Sequence, residues 1–330
     1  MLETYSWPLW QAVVVFIVSA GVIAWTGVKL ADYGNRLADR TGLGEAVTGT
    51  VFLGLTTALP GLAASITAAL NGYAALAISN AVGGIAVQTT FLAVADIVYR
   101  KANLEHAAAS VTNMIMSAML ILLLALTLLG LTGPDIVIRH VHPVTPLLFL
   151  GAVLGFWLVY RSRVEPMWRP RRTAETVEDI PQESYRKESM RNLLAGFAFN
   201  ALLVMAAGAL TAAAVARIAD LTGLSETVAG GFLSGIATSL PELVTTIAAV
   251  RIGALSLAVA DIIGGNFFDV LFVFAADLVY VRGSLYHAPG VSMREPFLTG
   301  LAILLNITLL LGLLYRQRSG PVNIGFESVL

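Results

Sequence analysis

Two acidic side chains lie in long apolar stretches of the sequence, where water cannot hydrate them. Glu242 directly follows Pro241, and Asp269 lies in the middle of the next apolar stretch. A carboxylate in such an environment must bind a cation, take up a proton or find a charged partner, because its desolvation is costly. The two stretches contain no Lys or Arg, and only Arg251 lies in the loop between them. This arrangement favours cation binding.

A third carboxylate, Asp261, precedes Asp269 by eight residues. On an α-helix this spacing corresponds to about 12 Å along the axis and about 80° around it. We therefore expect Asp261 to lie nearer the cytoplasmic end, with a role in ion access or proton exchange. Asp96 and Asp277 each come shortly before a Tyr at the end of an apolar stretch, which is typical of anchoring at a membrane interface.

The composition is that of an integral membrane protein. Of the 330 residues, 57% are hydrophobic and only 12% are charged, and the mean hydropathy is +0.79. The net charge of −1 argues against nucleic-acid binding, and the absence of Cys excludes disulfides and thiolate metal sites. We expect inorganic cations and the lipid bilayer as partners, with no cofactor, no enzymatic activity and no obligate protein partner.

Nine apolar stretches are long enough to cross a bilayer, which takes about 20 residues. They are Pro8–Leu30, Glu45–Leu70, Ala74–Tyr99, Ala107–Leu131, Thr145–Tyr160, Asn192–Ile218, Glu226–Val250, Leu255–Tyr280 and Pro296–Tyr315. The residues from Gly325 onward begin like a tenth. We predict an all-α membrane protein of ten helices, with the tenth incomplete in this chain. The first stretch is expected to remain as an anchor, because no basic residue precedes it.

One long polar segment divides the chain. Residues 1–160 are predicted to form a first five-helix repeat, residues 161–190 a linker, and residues 191–330 a second repeat whose last helix is truncated. With the N-terminus outside, 16 of the 20 Lys and Arg residues fall on the inner side, in accord with the positive-inside rule. We predict an external N-terminus and a cytoplasmic linker, in a plasma membrane of prokaryotic type.

The two halves of the chain repeat each other. Residues 41–100 align without gaps on residues 222–281, and 23 of the 60 positions are identical. Thr57-Ala-Leu-Pro60 falls on Thr238-Ser-Leu-Pro241, and Gly83-Gly84 falls on Gly264-Gly265. Because five helices precede the second copy, it enters the membrane from the opposite side. Such inverted repeats are common among secondary transporters.

Proline and glycine predict where the repeated helices are irregular. Pro60 and Pro241 lie inside helical stretches, where each removes a backbone N–H and leaves carbonyl oxygens free to bind cations. The Gly-Gly pairs let helix backbones approach closely or let a helix bend. We predict broken helices around a site near the middle of the membrane.

These blocks resemble the two alpha-repeats of the cation/calcium antiporter superfamily, which includes the sodium/calcium exchangers. The resemblance rests on Gly54–Gly61 with Ser79–Gly84, and on Gly235–Glu242 with Ala260–Asp269. It implies a ten-helix, inverted-repeat antiporter with alternating access, whose sites are built from the second, third, seventh and eighth helices.

The resemblance also implies a set of cation ligands. Glu242 matches the cation-binding glutamate of the second repeat, and Asp269 matches the acidic ligand on the facing helix. The other positions that the resemblance implies are Thr238, Ser239, Thr57 and Gln88. Asp261, where the sequence departs from the family, is a further candidate because of its own place in the apolar stretch.

The first repeat departs from the family pattern. Its expected glutamate is Gly61, its expected serine is Ala58, and Gln88 replaces an expected Asn. In the second repeat, Asp261 replaces an expected Asn. Calcium prefers about 6–8 oxygen ligands, several of them from carboxylates. With one glutamate missing, we expect weak calcium binding or a preference for a smaller charge.

Several functions remain open from the sequence. Exchange of calcium for sodium is the default that the resemblance implies. An antiporter for proton-coupled sodium or another divalent cation is the alternative, motivated by Gly61 and Asp261. A channel, a membrane scaffold and an intramembrane hydrolase are disfavoured, because a pore needs no inverted repeat and the chain contains no Gly-x-Ser-x-Gly motif.

Overall fold

The computed structural model describes residues 7–164, 168, 170–177, 188–222, 236, 238–318, 320, 325 and 328. Within these residues the structure contains nine long helices. They are α1 (Leu9–Thr41), α2 (Glu45–Leu70), α3 (Ala74–Tyr99), α4 (Val111–Thr132), α5 (Val144–Val164), α6 (Met190–Thr222), α7 (Leu240–Ile252), α8 (Leu255–Val279) and α9 (Arg294–Tyr315).

Eight of these helices are long and apolar enough to cross a membrane, as predicted. The remaining one, α7, is described only from Leu240, so its predicted start at Glu226 lies outside the described residues. Most of the predicted tenth helix lies outside them as well.

The first helix extends beyond its apolar stretch, so its predicted end at Leu30 is wrong. It continues to Thr41 because its last turns bury Leu37 and Ala38 on one face. It ends at Gly42, which adopts the left-handed conformation (φ +68°) that closes many helices.

The fourth helix begins later than predicted. A separate one-turn helix, Leu104–Ala107, precedes α4, which starts at Val111 instead of Ala107. The side chain of Asn103 accepts a hydrogen bond from the backbone N–H of Glu105 and caps this turn.

The internal repeat is visible in the helix boundaries. Helices α1 and α6 both contain 33 residues, and the gap-free alignment of the two repeats lays both ends of α1 on the matching ends of α6. The loops that follow α3 and α8 also match. Asp96 accepts a hydrogen bond from the N–H of Leu104 (2.8 Å), and Asp277 accepts one from the N–H of Leu285 (2.9 Å). Each carboxylate therefore holds the loop that follows its helix through a hydrogen bond to the loop backbone.

Helix α8 lies at the centre of the protein and touches α2 through the backbone. Within its most apolar window, 83% of the residues are buried. A Cβ atom added to Gly264 would lie 2.5 Å from the Cα atom of Thr50, and one added to Gly54 would lie 2.6 Å from the backbone nitrogen of Gly265. Glycine is therefore required here for close approach, as the Gly-Gly motif predicts.

The two prolines affect their helices differently. Pro60 lies within α2, which stays helical but contains a π-helical segment, Gly49–Gly54, before the proline. Pro241 lies in the first turn of the described part of α7, and Ser239 before it departs from helical geometry (φ −95°, ψ 4°). The π-helical segment was not apparent from the sequence.

Candidate cation site

Four helices bring most of the predicted site residues around one small cavity. Its volume is about 10 Å³, which is room for about one water molecule or a bare ion. The residues that line it are Ala58 and Gly61 from α2, Asn80, Gly84 and Gln88 from α3, Thr238, Ser239 and Glu242 from α7 and the turn before it, and Asp269 from α8. Both repeats therefore contribute to the cavity.

The two carboxylates of the cavity are almost completely buried. Glu242 is 1% exposed and Asp269 is 3% exposed. The side-chain amide of Gln88 donates one hydrogen bond to Asp269 Oδ2 (2.9 Å) and one to Ser239 Oγ (3.3 Å). Gln88 thus holds the Asp269 carboxylate in place and links α3 to the two facing helices.

Two oxygen atoms of the site accept no hydrogen bond from any described residue. They are Glu242 Oε2 and Gln88 Oε1, and both are buried. A buried polar atom without a partner costs free energy. A cation in the cavity would satisfy both oxygens at once.

The electrostatics of the cavity also favour a cation. The carboxylates of Glu242 and Asp269 repel each other, and none of the residues that line the cavity is a Lys or Arg. The described residues contain no group of three or more His, Asp or Glu side chains that could hold a metal ion. Hydroxyl, amide and carbonyl oxygens must therefore complete the coordination, which suits hard ions such as sodium and calcium.

Thr57 lies beside the cavity. Its hydroxyl group is fully buried, donates to the backbone carbonyl of Leu53 (3.0 Å) and lies within hydrogen-bonding reach of the Glu242 carboxylate. It therefore contacts the glutamate without lining the cavity.

An aromatic ring occupies the space next to Gly61. A Cβ atom at Gly61 would lie 3.1 Å from Cε2 of Phe272. The Asn80 side chain lies on the same side of the cavity and donates to the Gly61 carbonyl at 3.1 Å. The protein therefore fills the position of the expected first-repeat glutamate with an apolar ring and an amide.

Phe272 and Asn80 were missed by the sequence analysis. Phe272 follows Asp269 by three residues, which places both on neighbouring positions of one helix face. Asn80 aligns with Asp261 when the two repeats are laid on each other, so it is the first-repeat equivalent of that acid. The alignment of the repeats could have pointed to Asn80, whereas nothing in the sequence distinguishes Phe272 from the other apolar residues of its helix.

Asp261 does not line the cavity, as its offset from Asp269 leads one to expect. It is fully buried, and its Oδ2 atom contacts the hydroxyl groups of Thr245 and Thr246, the latter at 3.2 Å. Both threonines lie on α7, three and four residues after Glu242. Asp261 therefore lies about one helical turn from the glutamate, measured along α7.

Comparison with known proteins identifies the family. The model of the sodium/calcium exchanger protein family matches residues 11–165 and 192–326. The CaxA protein of Alkalimonas amylolytica is 24% identical over 308 residues, which is 92% of each chain. The sodium/calcium exchanger MaX1 of Methanosarcina acetivorans is 33% identical over 93 residues, which is 28% of this chain and 25% of MaX1.

The solved structure of the sodium-calcium exchanger NCX_Mj has the same fold. It superimposes with a TM-score of 0.70 at 16% sequence identity, over 94% of this chain and 93% of that one. The family match covers both repeats and leaves out most of the predicted linker. The resemblance inferred from the two repeated motifs is thus confirmed, and the chain is a multi-pass integral membrane protein that belongs to the sodium/calcium exchanger family, a family of cation antiporters and not of enzymes.

Proposed function

We propose that this protein exchanges calcium for sodium by alternating access, and that the cavity among α2, α3, α7 and α8 is its cation site. The observation that carries the proposal is the meeting of Glu242 and Asp269, two buried carboxylates from different helices, in one cavity with unpaired oxygens and no basic residue. The relatives MaX1 and NCX_Mj bear the name of sodium/calcium exchangers.

In this proposal each site residue has a defined role. Glu242 is the main ligand, because one of its oxygens is unpaired and buried. Asp269 supplies the second carboxylate, and Gln88 orients it and offers its own free Oε1. The hydroxyl groups of Thr238 and Ser239 complete the set of ligands. The Thr57 hydroxyl group contacts the Glu242 carboxylate from outside the cavity and helps to fix its position.

The repeat architecture supports alternating access. The cavity lies between residues of the first repeat (1–160) and of the second repeat (191–330), which the linker (161–190) joins. In an inverted-repeat transporter, movement of one part against the other opens a central site to one side of the membrane at a time. A cation bound between the two carboxylates would offset their repulsion and favour the closed arrangement.

A different cation is the second candidate, and Gly61 is the observation that favours it. The space next to Gly61 holds the Phe272 ring, so the first repeat offers no carboxylate to the ion. A divalent ion gains more from a second and third carboxylate than a monovalent ion does. Proton-coupled exchange of sodium is therefore the runner-up.

Ion flux in proteoliposomes tests the proposal. Vesicles loaded with sodium and diluted into sodium-free buffer with labelled calcium should accumulate calcium, and vesicles without the sodium gradient should not. Glu242→Gln protein, reconstituted in the same way, is the matched control. Uptake of labelled sodium driven by a proton gradient, with no sodium-driven uptake of calcium, would favour the second candidate. Calcium uptake without any counter-ion would contradict antiport.

Labelling of single introduced cysteines tests the orientation. We expect the N-terminus outside, so Asn71 faces the exterior and Arg171, on the linker, faces the cytoplasm. Both residues are exposed, and the chain contains no Cys of its own. In intact cells an impermeant thiol reagent should label Asn71→Cys and not Arg171→Cys. Labelling of the linker site from outside would reverse the topology.

A further inference from the structure

The Asp261 carboxyl group lies in a hydrogen-bonded pocket of its own, outside the cation cavity. Its Oδ2 atom meets the hydroxyl groups of Thr245 and Thr246. Its Oδ1 atom is buried and has no hydrogen-bond partner among the described residues, and it forms no ion pair with any of them. A charged carboxylate in this pocket would be poorly compensated.

The hydrogen atoms available in the pocket point to a protonated Asp261. The single hydroxyl hydrogen of Thr245 has three oxygens within reach: the carbonyls of Pro241 (2.9 Å) and Glu242 (3.1 Å), and Asp261 Oδ2. A buried Thr in a helix commonly donates to a carbonyl of the preceding turn. If Thr245 does so, Asp261 Oδ2 receives a hydrogen only from Thr246 among the described residues, and its contact with Thr245 needs a hydrogen from the acid.

The equivalent pocket of the first repeat supports a hydrogen atom on Asp261. There, Asn80 occupies the position of Asp261, and its amide group donates to Ser65 Oγ at 2.9 Å. Ser65 occupies the position of Thr246. The first repeat thus places a hydrogen-bond donor at this point of the fold. A protonated Asp261 can donate in the same way, whereas an ionised Asp261 cannot.

The charged groups around the pocket are mostly acidic. Helix α7 presents Glu242, whose carboxylate is close enough to interact with a charge on Asp261, and it carries the exposed Arg251 in its last turn. Helix α2 presents Glu45, which accepts a hydrogen bond from the N–H of Leu257, one turn before Asp261 on α8. Helix α8 itself carries Asp269 two turns further on. Of the other elements packed against α8, α4 carries no titratable side chain. Helices α3 and α5 carry described ones near their ends, namely Asp96, Tyr99, Tyr160 and Arg161. The short helices Leu104–Ala107 and Leu285–His287 carry Glu105, His106, Tyr286 and His287.

We propose that Asp261 is a proton-binding site whose proton opposes cation binding at Glu242 and Asp269. A cation that enters the cavity stabilises a negative charge on Asp261. The O–H bond of Asp261 then breaks, the electron pair stays on the carboxylate, and the proton passes to water. When the cation leaves, Asp261 takes a proton back. This inference rests on the proposed cation site and adds the proton as a competing ion.

Proton release upon cation binding is the direct test. Purified protein in weakly buffered detergent solution, with a pH indicator, is titrated with calcium chloride and separately with sodium chloride. Since linkage is reciprocal, the wild type should release more protons per bound cation than Asp261→Asn. For sodium, the affinity of the wild type should rise from acidic to alkaline pH by roughly tenfold more than that of the variant, the effect of a unit charge about 10 Å from a monovalent ion at an effective dielectric near 20. For calcium the difference should be larger, because the interaction scales with the charge of the ion.

The Asp261→Asn variant is expected to fold, because Asn occupies the equivalent position in the first repeat. Infrared spectroscopy gives a second readout that does not depend on transport. The absorption of a protonated carboxyl group should be present in the cation-free wild type and reduced in Asp261→Asn. If that variant does not fold, Thr245→Val should shift the same absorption by removing its hydrogen-bond partner.

Equal proton release and equal pH dependence in the wild type and Asp261→Asn would overturn the proton site and leave the cation site intact. Absence of any cation binding or exchange by the wild type would instead overturn the proposed function, and this inference with it.

Discussion

The two repeats of this protein share one scaffold but carry different charges at the site. Glu242, Asp269 and Asp261 of the second repeat correspond to neutral residues of the first, namely Gly61, Gln88 and Asn80. The first helices of the two repeats nevertheless match in length, and the loops after α3 and α8 are held by equivalent carboxylates. The same gap-free alignment relates α1 to α6 and Asp96 to Asp277.

This difference separates folding from function. The first repeat packs its helices without an acid at any of the three positions, so the fold does not require those carboxylates. Their burial in the second repeat costs free energy that the packing does not recover. The acids of the second repeat are therefore best explained by ions that bind and are released during transport. The neutral residues of the first repeat support these acids.

The largest expected effect comes from removing the charge of Glu242, the proposed main ligand in the second repeat. Glu242→Gln keeps the shape of the side chain and makes the site resemble the neutral first repeat. We expect exchange to fall by at least about 100-fold, a loss of roughly 2.7 kcal/mol of cation stabilisation. Flux in proteoliposomes and calorimetric titration of the cation measure it.

A carboxylate outside the site provides the control for this variant. Asp135 lies in an exposed loop, and Asp135→Asn should leave flux unchanged. Asp269→Asn should be nearly as damaging as Glu242→Gln if Asp269 binds the ion. Wild-type flux in a folded Glu242→Gln protein would contradict the idea that the charge difference between the repeats is functional.

The next effect concerns the contact between the repeats. Gly264 of the second repeat lies against the backbone of Thr50 in the first, which leaves no space for a methyl group. Gly264→Ala should lower stability by about 2–3 kcal/mol, as overpacking of a tight contact does. Thermal unfolding in detergent, followed by loss of the monodisperse peak in size-exclusion chromatography, measures it.

Gly21 is the matched control for Gly264, because nothing lies within 4 Å of a Cβ atom built on it in α1. Gly21→Ala should be neutral or slightly stabilising, since Ala favours helix more than Gly does. Equal stability of the two variants would mean that α2 and α8 separate easily, and that the repeats are less tightly joined than the structure indicates.

Much of this architecture could be predicted from the sequence. The bounds of the second and third helices were predicted correctly as Glu45–Leu70 and Ala74–Tyr99, because apolar stretches are separated there by the turn at Asn71 and Gly72. The position of Glu242 and Asp269 inside apolar stretches, together with the family resemblance that added Gln88, also led to three residues that line one cavity.

The features that could not be predicted depend on contacts between distant segments. The π-helical segment Gly49–Gly54 forms where α2 lies directly on α8, and hydropathy carries no information about such a contact. Phe272 looks like any apolar residue of a membrane helix until the structure places its ring beside Gly61. The sequence pattern shows which residues are unusual for a membrane helix. It does not show which ordinary side chain packs beside them in the folded protein.

The smallest effect that we predict comes from giving the first repeat the acid that it lacks. Gly61→Glu alone would push its side chain into the Phe272 ring, whose Cε2 atom would lie 3.1 Å from the new Cβ atom. Combined with Phe272→Ala, the glutamate gains space beside the cavity. We expect calcium affinity to rise by about tenfold, or roughly 1.4 kcal/mol, because a third carboxylate adds up to two oxygens and one charge.

Gly61→Gln with Phe272→Ala has nearly the same bulk without the charge, and should show little gain in calorimetric titration. Tight calcium binding by the wild type, or equal affinities of the Glu and Gln forms, would mean that charge in the first repeat does not limit the site, and that the asymmetry between the repeats serves another purpose than selectivity.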